Sequence, residues 1–396
     1  HFPTYSGMDS DFQGYALYSK QIFHGQTPYV DFFSHKPPLY FYLLLPGNFL
    51  GGTLFSFFLI HLAIVGSVGV LIFIYGSRLT KIKDYRMGAW AWLLFHSIEV
   101  SQFLNYGTLN GSIVYPTMGM GFMVFIFSME IKNRVIAKDK GLIPLTIAAG
   151  FLSGASLFTR FGVEHNFIFV AVIGFLLLIK KANWKQSALL LILYGIGVAT
   201  FSIIMLAVIG FPLQEMFEDL IVHNRNYLKL PAEVTPNYII HLLERISNAV
   251  KTFIEFAFIP SLICLIAIFA WIATKPTPKA IITFLKDDVI FWLLLYLCVE
   301  LVSVGFQGGG KKIYIYFPPF IPICLLASYS IQTFNKLLNY PVHFSKIITS
   351  LLLVLMYVEY NEGVDKSMYN INLVRKWPES ELIAKIKKYS ELENDL

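Results

Sequence analysis

Apolar stretches long enough to cross a bilayer recur along almost the whole chain, and such a chain has few ways to fold. Lipid offers no hydrogen-bond partner to exposed backbone, so a spanning segment must satisfy its own N–H and C=O groups as a helix, or close into a barrel. Taking about 17–25 apolar residues as one crossing, we read helical spans near 54–77, 87–104, 112–129, 143–159, 163–179, 186–211, 252–273, 289–306, 313–331 and 347–361, about ten in all. The expected fold is an all-α, polytopic transmembrane bundle. Composition agrees: 56% of the 396 residues are hydrophobic and only 14% charged, against roughly 25% charged in a soluble domain, and the mean hydropathy is +0.61.

Charge then orients the bundle. Lysines and arginines beside short loops stay on the cytoplasmic side. If the first loop is external, sixteen of them flank internal loops and nine lie in the external segments before the tail. The net charge of +6 is thus a matter of topology. Nucleic acid is not an expected partner, because the basic residues alternate with apolar spans and do not cluster among aromatics. Cys264, Cys298 and Cys324 each sit inside an apolar run, which excludes a disulfide framework or a CxxC metal site. The chain starts at His1 and runs straight into a polar loop, so at least one further span is expected ahead of it. Three regions result: a loop at 1–53 with juxtamembrane helices, a membrane bundle at 54–361 that includes a long external connection at 212–251, and an external tail at 362–396 expected to begin a small domain.

Polar chemistry concentrates in the first loop. Phe12, Tyr15, Ser19, Ile22 and Phe23 fall on one face of a short helix ended by Gly25. Asp9, Ser10 and Asp11 stand at its start, where their oxygens can accept bonds from free N–H groups. After a turn at Gly25–Pro28 come Tyr29, Asp31, His35 and Lys36. Pro37 and Pro38 suit the first turn of a second helix, which lacks partners for its N–H groups anyway, running to about Phe49 with a break at Pro46–Gly47. Elsewhere, Arg160, Glu164 and His165 join two spans outside, and His96, Glu99, Glu255 and Glu300 lie in outer halves of spans. Ionisable groups cost about 2.5–3.5 kcal/mol or more at the bilayer centre and should face a protein interior or a water-filled cavity. An outward-facing polar cavity is expected. The connection at 212–251 patterns as two surface helices that could cap it. In QGGGKKIYIYFPPF, bare glycine N–H groups with Lys311 and Lys312 could hold an anion, or could form a flexible turn with interfacial lysines.

The order D-x-Q-G-Y, G-Q-T-P-Y-x-D-F-F and H-K-P-P-L-Y over residues 9–42 resembles membrane glycosyltransferases of the GT-C class, in particular the bacterial protein-mannosyltransferase and aminoarabinose-transferase-like group. That resemblance implies an inverting transfer of a sugar from a polyprenyl-phosphate carrier to a lipid, glycan or protein acceptor on the outer face of the plasma membrane. By position, Asp11 matches the group's catalytic acid, Lys36 the lysine near the carrier phosphate, and Arg160 the basic residue where two spans meet outside. Tyr29, Asp31, His35, Lys311, Lys312 and Tyr316 complete the expected substrate site. The chain departs from the group at His35 and Asn110, where carboxylates are frequent, and at Tyr314 and Tyr316, which stand where a His-Tyr pair is frequent. No cofactor is assigned, and a divalent metal is compatible with the resemblance. A transporter or flippase, and an oligosaccharide ligase or polymerase, are the alternatives for a many-span chain of this kind.

Overall fold

The computed structural model describes residues 10–79, 84–106, 113–160, 164–222, 238–274, 288–306 and 317–338. Among them the fold is all-helical, with one isolated bridge between Pro28 and Phe32. In chain order the helices are α1 (Ser10–Phe23), α2 (Leu39–Leu43), α3 (Pro46–Phe49), α4 (Leu54–Gly76), α5 (Tyr85–Tyr106), α6 (Val114–Ala137), α7 (Leu142–Arg160), α8 (Glu164–Leu178), α9 (Trp184–Val208), α10 (Leu213–Phe217, continuing as a π turn over Glu218–Val222), α11 (Tyr238–Phe256), α12 (Phe258–Thr274), α13 (Asp288–Phe306) and α14 (Phe317–Leu338).

Among the described residues, five helices are long and apolar enough to cross a membrane: α4, α6, α7, α9 and α13. The molecule therefore has the build of a multi-pass membrane protein. α8 is apolar but shorter. The expected span at 347–361 and the tail at 362–396 lie outside the described residues. The expected single span at 252–273 is instead two helices, α11 and α12, bent by 86° about Ala257. Pro260 supplies the reason: its ring excludes the carbonyl of Phe256 from helical bonding and is tolerated in the first turn of a new helix. Accordingly, Ala257 still donates to Phe253, and Ser261 donates to Ala257. The second surface helix expected within 212–251 is the first part of α11, whose Ile246 packs against the backbone of Gly305 in α13.

Side chains lock the two ends of the bundle. At one end, buried Lys132 near the end of α6 pairs with Asp288 at the start of α13, which also accepts from Trp292 Nε1 at 3.0 Å. Also at that end, Gln332 of α14 donates to Asp84 at 2.7 Å and Ser328 donates to the Met87 carbonyl at 2.6 Å. The opposite end gathers the first loop, the close of α7, the opening of α8 and α10. In a bilayer, lipid tails are as apolar as leucine, so close packing of small residues must hold helices together. α7 and α9 meet in this way, through Gly150 and Gly154 on one side and Gly197 on the other. A Cβ on Gly150 would lie 2.0 Å from the Tyr194 carbonyl oxygen. Gly150→Ala should therefore cost about 1–3 kcal/mol by overpacking and lower the melting temperature in detergent. Gly174→Ala in α8, where nothing stands within 4 Å, should leave it unchanged.

Candidate functional site

The first loop folds onto the bundle through the apolar face of α1. Phe12, Tyr15, Ala16 and Ser19 are buried there, and Tyr15 meets Tyr40 edge-on at 5.3 Å. Phe23, expected on this face, is exposed and lies edge-on to Phe49. Asn48 fastens α3 to α1 by donating to the Ser19 hydroxyl at 3.2 Å and to its carbonyl at 3.4 Å. Asp11 is the second residue of α1 as described, in its first turn. Buried His61 of α4 sits between Phe12 and Tyr115, with its Nδ1 3.3 Å from the Tyr40 hydroxyl.

The turn and loop from Pro28 to Lys36 is held at several points. Tyr29 has φ +71°, a left-handed conformation that costs a non-glycine residue of order 1–3 kcal/mol and persists where surroundings over-determine it. Its amide donates to the Phe32 carbonyl, and its hydroxyl donates to the Lys36 carbonyl at 2.8 Å. The Ser34 hydroxyl also donates to the Lys36 carbonyl, at 3.2 Å. Ser34 N–H reaches across the molecule to Asp219 at 3.1 Å. Because two side chains take the Lys36 carbonyl, it does not open a helix. α2 accordingly starts at Leu39, with Pro38 as its cap, and not at Pro37 as expected. The break at Pro46–Gly47 is present, and the Gly47 backbone lies flat against Phe57.

Five of the expected substrate residues, Tyr29, Asp31, His35, Lys36 and Arg160, fall among the described residues. Lys36 is half-buried, its backbone fixed by Tyr29 and Ser34. Asp31 is exposed and accepts from the Thr27 amide at 2.6 Å, so its carboxylate closes the local turn. His35 is half-buried and lies near Phe33, ring centres 6.3 Å apart. Tyr29 braces the loop from within an apolar cluster that also contains Phe158, two residues before Arg160. Arg160 ends α7, half-buried. Lys311, Lys312, Tyr314, Tyr316 and Asn110 lie outside the described residues.

Burial, then the charge of Asp219, then Tyr42 push the Tyr29 hydroxyl far above the ordinary tyrosine value of 10.0. Since the folded value is raised, this group's contribution to stability is complete below pH 10 and declines as pH climbs beyond it. Tyr29→Phe should cost about 0.5–1.5 kcal/mol at neutral pH through the lost hydrogen bond. It should also make stability fall less steeply above pH 10, measured by thermal unfolding across an alkaline series.

Part of the expected outer polar cluster is also present. Glu164, His165 and Glu300 come together fully buried, with His165 Nδ1 3.3 Å from Glu300 Oε1 and Nε2 3.8 Å from Glu164 Oε1. Arg160 is near enough for its charge to act on Glu300. The adjoining Asn166 ties three helices, accepting from Ser153 of α7 at 2.8 Å and Tyr194 of α9 at 2.9 Å. His96 does not join them; its ring packs on Gly69 and Trp92. The side chains of Glu99 and Glu255 are outside the described set. Sequence reasoning missed Tyr296, which stands one turn before Glu300 on the same helix face and has a buried hydroxyl. The polar pair at a four-residue spacing within an apolar span was the available signal. A separate cavity of about 450 Å³ opens at the opposite end, lined by Arg78, Glu130, Lys132, Arg134 and Asp288 among others.

Compared with protein-family models, with curated proteins and with solved structures, the chain shows no match.

Proposed function

We propose that the protein is an inverting glycosyltransferase that moves a sugar from a polyprenyl-phosphate carrier to a lipid, glycan or protein acceptor at the extracytoplasmic face of the plasma membrane. The observation that carries this reading is the fixing of the Lys36 segment by Tyr29, Ser34 and Asp219 at the end of the bundle where α7 closes in Arg160. Such a placement suits a lipid phosphate, whose charge grows as the bond to sugar C1 breaks and is stabilised by cations held at fixed positions away from water. In the proposed reaction the acceptor hydroxyl attacks C1, its proton passes to the Asp11 carboxylate, and the bonding pair leaves with the carrier phosphate beside Lys36 and Arg160. Lys311 and Lys312, which follow three glycines whose bare N–H groups could also hold an anion, are further candidates for that phosphate. Asp31 and His35 border the same loop as sugar or acceptor contacts, with Tyr29 shaping it and Tyr316 added by the resemblance. The GT-C resemblance and the full set of about ten spans belong to this proposal.

A second reading, transport of a lipid-linked or small polar substrate, is favoured by the 86° break between α11 and α12, since broken helices form midplane sites in transporters. Incubating the purified protein with polyprenyl-phosphate sugars and following release of polyprenyl phosphate separates the two. Turnover in detergent requires an enzyme, whereas uptake into proteoliposomes without turnover would exclude transfer.

A further inference from the structure

We infer that Glu164, His165 and Glu300 form a binding site for a divalent first-row transition cation of the Zn²⁺ class. One ligand atom from each of the three lies within 4.8 Å of the others, and all three residues are buried. Mixed imidazole and carboxylate donors suit such ions, with ligand bonds of about 2.0–2.2 Å. Small side-chain rotations would bring the donors to that range, because the His165 nitrogens already stand 3.3 and 3.8 Å from oxygens of Glu300 and Glu164.

A second observation points to a ligand. Both ring nitrogens of His165, Glu300 Oε1 and the Tyr296 hydroxyl are buried and make no aligned hydrogen bond. Buried polar atoms are ordinarily satisfied, and each orphan costs about 1–3 kcal/mol. Tyr296 stands one helical turn before Glu300 in α13, so its unpartnered hydroxyl lies on the same helix face as that carboxylate. A neutral imidazole and two carboxylates carry −2, and with the Arg160 charge acting on Glu300 the group is still net negative, which attracts a cation in an apolar surrounding where an uncompensated charge is expensive.

The scaffold also makes room for the imidazole. The His165 ring occupies the space where a Cβ on Gly121 would sit, 2.1–2.4 Å from its atoms, so α6 can approach α8 only with glycine there. Asn166, fixed by Ser153 and Tyr194, holds the first turn of α8 in register. Three helices thus converge on donors that lie 135 residues apart in the chain.

The test reads metal, not sugar transfer, and is therefore independent of the proposed activity. The full chain, purified in detergent and stripped with chelator, is titrated with Co²⁺ and then Zn²⁺. We expect one Co²⁺ per chain with visible d–d absorption, displaced by one equivalent of Zn²⁺. Affinity for Zn²⁺ should fall by more than about 100-fold in E300Q and H165Q, beyond the roughly 10–100-fold loss typical of altering outer-shell partners alone. Failure of the wild-type chain to bind either ion stoichiometrically overturns the site, as does wild-type affinity in E300Q. Should E300Q lose its monodisperse profile, the wild-type titration decides by itself.

Discussion

Asp11→Asn is expected to reduce sugar transfer at saturating donor by about 10²–10⁴-fold, the usual worth of a general base, while melting temperature and carrier binding stay near wild type. Asparagine caps a helix about as well as aspartate, so a residue that served only the first turn of α1 would tolerate the change. α1 is anchored further along, by buried Phe12, Tyr15 and Ser19 and by the Asn48 bonds to Ser19, and none of these contacts depends on charge at position 11. The amide differs in the one property the reaction needs, since it cannot take the acceptor's proton. Asp9→Asn is the internal control. Normal transfer in D11N with loss in D9N would mean the right loop and the wrong carboxylate; normal transfer in both would end the glycosyltransferase proposal.

Local signals in the sequence translated well where one short-range rule decided the outcome. The face of α1 was legible from Phe12, Tyr15 and Ser19 because helical spacing alone sets it, and the break before α3 was legible because Pro46 lacks a donor. Failures arose where a remote partner or an overlooked residue won. Pro37 is excluded from α2 because Tyr29 and Ser34 claim the carbonyl of Lys36, and spacing gives no hint of that competition. The bend at Ala257 was encoded in Pro260 but hidden by unbroken apolarity around it. The tie from Ser34 to Asp219 spans 185 residues, and no pattern in either segment announces the other. The gathering of Glu164, His165 and Glu300 was foreshadowed by their shared side, the first two at an outer junction between spans and the third in the outer half of a span, whereas their mutual distances depend on how α6, α8 and α13 pack.

Lys36→Met should lower turnover at saturating donor by about 10²–10³-fold, comparable with removing one preorganised donor from a developing oxyanion, and should do so without unfolding the loop. Methionine keeps an unbranched apolar stem of similar reach and removes the ammonium. The backbone of residue 36 is held independently of its side chain, because Tyr29 and the Ser34 hydroxyl bind its carbonyl and the Ser34 oxygen accepts from its amide. Loop position should therefore survive, and the loss should appear in the chemical step. Lys36→Arg offers a sharper discrimination: it restores the charge but spreads it over a planar fork, so partial recovery is expected if the charge serves a phosphate. If K36M and K36R are equally impaired while both melt like wild type, shape at position 36 outweighs charge. Full turnover in K36M with correct membrane insertion would remove Lys36 from the leaving-group site altogether.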